Sequence, residues 1–123
     1  MVLIDTSVWI AHFREGLPAL ERLLLDADVV SHPFVIGELA CGQLKNRTEI
    51  LSLLSSLPQA PVLAHDEILH FIERRRLMGL GIGLIDIHLL ASAALGRVTL
   101  WTLDKKLLCA AGKSRLNYHP STI

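Results

Sequence analysis

The opening of the chain constrains its fold most. A short apolar run, Val2-Leu3-Ile4, gives out on Asp5-Thr6-Ser7, and a helical pattern carried by Trp9, Ile10 and Phe13 follows. Aliphatic and β-branched residues in a run too short for a helix read as a buried strand, and Asp, Thr and Ser are the residues that start helices. The expected order is strand, then helix, with an acid at the junction. In α/β sheets such strand ends are where ligands gather.

The same alternation recurs downstream. Pro18 opens a second helical segment with Leu20, Leu23, Leu24 and Leu25 on its apolar side, and Val29-Val30 reads as a second strand. Helices are expected from Phe34 to Leu44 and from Thr48 to Leu57, and Pro61-Val62-Leu63 reads as a short strand. An amphipathic segment from His65 to Met78 precedes a Gly-rich break, Gly79 to Gly83, expected to be a tight helix-to-helix connection. Leu84 to Leu95 is strongly helical and ends at Gly96; Val98 to Trp101 is strand-like; Asp104 to Ala111 forms a last helix stopped at Gly112. Strands alternating with helices predict an α/β fold, a three-layer α/β/α sandwich with a mainly parallel central sheet. With 123 residues, 51% of them hydrophobic, one sizeable core and a single domain over 1–123 are expected.

Lysine plus arginine and aspartate plus glutamate number 12 each, so no global basic field draws nucleic acid to the chain. Any RNA contact must come from a local patch. Cys41 and Cys109 stand in apolar stretches without a C-x-x-C partner, which points to reduced thiols and a cytoplasmic protein. The amino terminus is interrupted by a charge too early for a signal peptide, and no apolar run approaches membrane-spanning length.

Four acids, Asp5, Glu38, Asp86 and Asp104, are the candidate chemistry. Metal-assisted phosphodiester hydrolysis needs hard oxygen ligands, and carboxylates supply them to Mg2+. Each acid also has an ordinary explanation. Asp5, Asp86 and Asp104 stand where helices begin and could be caps, and Glu38 could lie on an exposed helical face. Only strand-end placement suggests a shared site.

The motif order changes that balance. Val2-Leu3-Ile4-Asp5-Thr6-Ser7-Val8-Trp9-Ile10 resembles the opening of PIN-domain ribonucleases of the VapC toxin type. Ile36-Gly37-Glu38-Leu39, Gly83-Leu84-Ile85-Asp86-Ile87-His88-Leu89-Leu90-Ala91 and Thr102-Leu103-Asp104-Lys105-Lys106-Leu107 resemble that family's later acidic motifs, in order and across nearly the whole chain. Ala11 departs from the polar or acidic residue of many relatives, but no acid is missing. The resemblance implies a PIN-like fold and an acidic pocket of Asp5, Glu38, Asp86 and Asp104, with Thr6, Ser7 and Thr102 as hydrogen-bonding neighbours. It further implies cleavage of RNA by water activated by Mg2+ or Mn2+, a VapB-like antitoxin partner and a homodimer.

Other features carry less. Arg74-Arg75-Arg76 is a candidate RNA contact, although three consecutive side chains fan out around a helix. His65, Asp66 and His70 lack a zinc spacing, and the glycines from Gly79 to Gly83 lack the G-x-x-x-x-G-K-[ST] pattern of a phosphate loop. Two rival readings are a phospho-acceptor receiver domain, against which the first strand lacks a paired acid, and a catalytically silent interaction module, against which all four acids are intact.

Overall fold

A computed structural model describes residues 1–120. Its central strand is β1, Val2–Ile4, buried along its whole length, as a continuous apolar run between two helical layers should be. Helices α1, Thr6–Glu15, and α2, Pro18–Leu25, carry the chain over to β2, Val29–Val30, which pairs parallel with β1 through Val2 opposite Val29 and Leu3 opposite Val30. Helices α3 (Pro33–Cys41), α4 (Arg47–Ser56), α5 (His65–Arg75) and α6 (Leu84–Gly96) follow. Strand β3, Thr99–Trp101, then returns to the other side of β1 and pairs parallel through Leu3 opposite Leu100. Helix α7, Lys105–Lys113, closes the order.

The sheet runs β2-β1-β3, all parallel, flanked by helices. This is the α/β/α arrangement that the alternation predicts. The core is continuous around it, from Leu3, Ile4 and Val8 to Leu20, Leu89, Leu90, Leu100 and Leu107.

One expected strand is absent. Pro61-Val62-Leu63 has no ladder; instead Gln59 bridges Ser31 two residues earlier, and the N–H of Ala60 donates to the carbonyl of Ser31. Pro61 has no N–H to continue that ladder. Its ring instead packs toward Gly96, where an added Cβ would lie 3.2 Å from Pro61 Cδ. Helix α3 stops at Cys41 rather than Leu44, because Gly42 leaves the helix in an extended conformation. Helix α7 runs through Gly112 to Lys113.

Candidate active site

Parallel strands deliver their carboxyl ends to one edge, so β1 and β3, although nearly a hundred residues apart in sequence, present Asp5 and Thr102 side by side. The pairing is direct: Asp5 N–H donates to the carbonyl of Trp101 at 2.9 Å. Asp5 is buried, with 5% of its surface exposed. It stands at the N-cap of α1, yet its side chain makes no capping bond. Its Oδ2 instead accepts from Ser7 Oγ at 2.6 Å and from Thr102 Oγ1 at 2.8 Å. Capping therefore does not explain Asp5.

The network continues to the other acids. Thr102 Oγ1 accepts the N–H of Asp104 at 3.1 Å, and Ser7 Oγ accepts the N–H of Leu103 at 3.0 Å, so the segment after β3 is fastened to the carboxylate it faces. Asp104 caps α7 through Oδ1, which accepts from Leu107 N at 2.9 Å. Glu38, on the exposed side of α3, accepts from Thr6 Oγ1 at 2.7 Å through Oε1. Asp86, in the first turn of α6, receives the Gly83 N–H on Oδ2 at 3.4 Å. The ordinary explanations thus hold for one oxygen of each later acid. Among the described residues, the second oxygen of all four carboxylates has no hydrogen-bond donor.

Asp86 feels the charge of the other three acids. Asp86 is pushed above the usual carboxylate range by burial; the Gly83 N–H opposes this, and the charges of Asp5, Asp104 and Glu38 add to it. None of the four acids forms an ion pair: among the described residues the one salt bridge is Arg22 with Asp26, on α2 and its C-cap. Free carboxylate oxygens outside any ion pair are hard donors of the kind a divalent cation takes. No three His, Cys, Asp or Glu side chains among the described residues close directly on a single point.

Sequence reasoning named all four acids and the three hydroxyls; the structure joins Asp5, Ser7, Thr102 and Asp104 in one hydrogen-bond network, pairs Glu38 with Thr6, and couples Asp86 to the other acids through charge alone. It does not bring Arg74-Arg75-Arg76 to them. Those residues end α5, where Arg74 and Arg75 share a groove with Asp66, Glu67 and His70, and Arg76 adopts the left-handed conformation of a C-cap. His65, Asp66 and His70 form no metal cluster among the described residues. Two residues escaped the sequence reading. His32 and Ser92 are both fully buried and joined at 2.9 Å between α3 and α6. A polar residue before Pro33 was the only signal available for His32.

Fold and site together define a class: a parallel α/β domain with acids at the carboxyl edge of its sheet and on the helices beside it. The PIN domain family model matches residues 2–113, and the chain belongs to that family. Within it, the chain is 50% identical to Ribonuclease VapC32 of Mycobacterium tuberculosis, strains CDC 1551 / Oshkosh and ATCC 25618 / H37Rv, over 93% of each chain. Its fold matches that of PAE2754 from Pyrobaculum aerophilum with a TM-score of 0.64, at 17% identity, over 94% of this chain and 93% of the other. Membership sets aside the receiver-domain reading.

Proposed function

We propose that this chain, acting as one domain over 1–123, is a Mg2+-dependent endoribonuclease and the toxin of a toxin–antitoxin pair. The observation that carries this is four carboxylates, Asp86 within electrostatic reach of the other three, each with one oxygen fixed by the protein and one left free. Half identity to a protein named Ribonuclease VapC32 along 93% of the chain supports the RNA substrate. Mn2+ has the same preference for oxygen ligands and is the expected substitute.

Asp5, Glu38, Asp86 and Asp104 hold the ion in this reading. A divalent ion held there would supply Lewis-acid polarisation of the phosphate and lower the pKa of a water. The chain's own contribution is orientation. Thr102 and Ser7 fix the Asp5 carboxylate from two sides, Thr6 fixes Glu38, and Gly83 fixes Asp86. No side chain becomes covalently attached to the substrate.

A VapB-like antitoxin and a second copy of the chain are the expected partners, in the cytoplasm. A groove of about 570 Å³ that includes Ile10, Phe13 and Leu39 is rimmed by Glu38, so a partner lying there would reach the acids. The exposed Leu84 and Ile85 border a second, apolar hollow with Phe34 and Cys41 that also shares Glu38, a surface suited to self-association beside the acids. Among the described residues no helix is long and apolar enough to cross a membrane.

The test is direct. Purified protein is given single-stranded RNA with Mg2+ and, separately, with EDTA. Cleavage with Mg2+ alone is expected; cleavage in both tubes, or in neither, overturns the reading.

A further inference from the structure

A nuclease with no net charge must still hold a polyanion beside four carboxylates. The surface grooves of this chain differ sharply in how they could help. The groove along α5 sets Arg74 and Arg75 against Asp66 and Glu67, so its cations are locally balanced. The groove between α1 and α3 sets Arg14 and Lys45 against Glu38. A hollow with Arg97 and Arg115 lies beside Val2 and Thr99, the residues at the amino ends of β1 and β3, opposite the acids.

The hollow of Leu84, Ile85 and Glu38 holds no lysine or arginine, and the groove along α7 holds the most. It is lined by Leu80, Lys105, Lys106, Cys109, Ala110 and Lys113, with three lysines and no acid. Lys106, Cys109, Ala110 and Lys113 follow helical spacing and form one stripe of α7. That helix begins at Asp104, which is one of the four acids and its N-cap. Lys106 is exposed, and its side chain reaches over Gly81. A Cβ at Gly81 would lie 3.0 Å from Lys106 Nζ and 3.2 Å from its Cδ, so the side chain lies across the backbone of the segment leading to Asp86. Lys106 therefore stands between the segments that present Asp104 and Asp86, and Lys113 continues the stripe roughly 10 Å further along the helix axis.

We propose that the α7 groove of Lys105, Lys106 and Lys113 is the track for the RNA backbone leading away from the cut phosphate. Resting on the ribonuclease reading above, this assigns the electrostatic part of substrate binding to α7 rather than to the arginines of α5. Phosphates contacted by lysine as point charges bind without regard to base identity. The lysines thus hold and align any single strand, and sequence choice falls to other surfaces.

The test uses the full-length chain carrying Asp5→Asn, so that RNA stays intact, and a short fluorescent single-stranded RNA of mixed sequence. Its dissociation constant is measured across a salt series for this protein and for the same protein with Lys106→Gln and Lys113→Gln added. Parallel proteins carry Arg74→Gln and Arg75→Gln, or Arg115→Gln. Removing the two lysines is expected to weaken binding and to flatten the slope of log affinity against log salt by about 0.7 per lysine, while the arginine variants keep the parent slope. In proteins with Asp5 intact, Lys106→Gln and Lys113→Gln should raise KM for RNA with kcat little changed. Unchanged slope and KM in the lysine variants, or a larger loss in either arginine set, overturns the track. Failure of the ribonuclease reading looks different, because the parent protein with Asp5 intact then cleaves no RNA with Mg2+.

Discussion

His32 Nε2 lies 2.9 Å from Ser92 Oγ, and this one bond joins the N-cap of the helix that carries Glu38 to the middle of the helix that carries Asp86. The other ring nitrogen, Nδ1, accepts the N–H of Phe34 at 3.0 Å. The imidazole must therefore be neutral with its proton on Nε2, donating to Ser92. Burial, and then the nearby His88, push its pKa down to about 4.

The sign of the resulting pH dependence follows from linkage. Below about pH 6.5 the unfolded chain takes up a proton at His32 that the folded chain refuses. The stability tied to neutral His32 is therefore complete above that pH and is lost as pH falls toward 4, by up to about 1.4 kcal/mol per pH unit. His32→Asn keeps an acceptor for Phe34 N–H but is too short to reach Ser92. Urea denaturation should find it less stable by about 1–3 kcal/mol at neutral pH. Its stability should also change less than the parent's between pH 6.5 and 4. A parent profile as flat as the variant's contradicts this account.

Asp86 carries a prediction of opposite sign. Because burial and three like charges raise its pKa, the folded chain holds this proton more tightly than the unfolded chain does. Ionised Asp86 then costs stability as pH rises through that window. Asp86→Asn removes the charge and keeps an oxygen for Gly83 N–H. Without metal, its melting temperature at neutral pH should exceed the parent's; Mg2+ should raise the parent's and leave the variant's unchanged. A variant that melts lower than the parent without metal, or still gains from Mg2+, contradicts the arrangement.

Thr102 holds Asp5 without being a ligand itself. Thr102→Val preserves shape and removes the hydroxyl that donates to Asp5 Oδ2 and accepts from Asp104 N–H. Loss of a hydrogen bond that orients a metal ligand typically costs about 10–100-fold in metal affinity or activity. The expected change is a higher Mg2+ concentration for half-maximal cleavage. An unchanged Mg2+ dependence would remove Thr102 from the site's support.

Much of this site was legible because its parts lie in short runs with local signatures. Asp5 closes an apolar strand, Asp104 follows another, and Asp86 opens an apolar helix, so strand ends and helix starts could be found without tertiary information. Their grouping with Glu38, and the supporting Thr6, Ser7 and Thr102, came only from the resemblance to PIN-domain ribonucleases. What could not be read was pairing across distance. Nothing in Pro33 or Ala91 announces that His32 and Ser92 meet, and consecutive basic residues at Arg74 gave a louder signal than Lys106 and Lys113, whose shared face needs a helix to exist. The apolar Pro61-Val62-Leu63 mimicked a strand because composition does not record that the ladder had already been made by Gln59 and Ala60.

The most direct measurement is the cleavage rate of Asp5→Asn against the parent across a Mg2+ titration, with circular dichroism confirming the fold. Asn retains the acceptor for Ser7 and Thr102 but loses the charge that would hold the ion. Cleavage should fall by roughly two orders of magnitude or more at every Mg2+ concentration, in line with the loss of an electrostatic group at a catalytic centre, while the spectrum stays the same. A folded Asp5→Asn protein that cuts RNA at the parent's rate would contradict the claim that these four carboxylates form the active site.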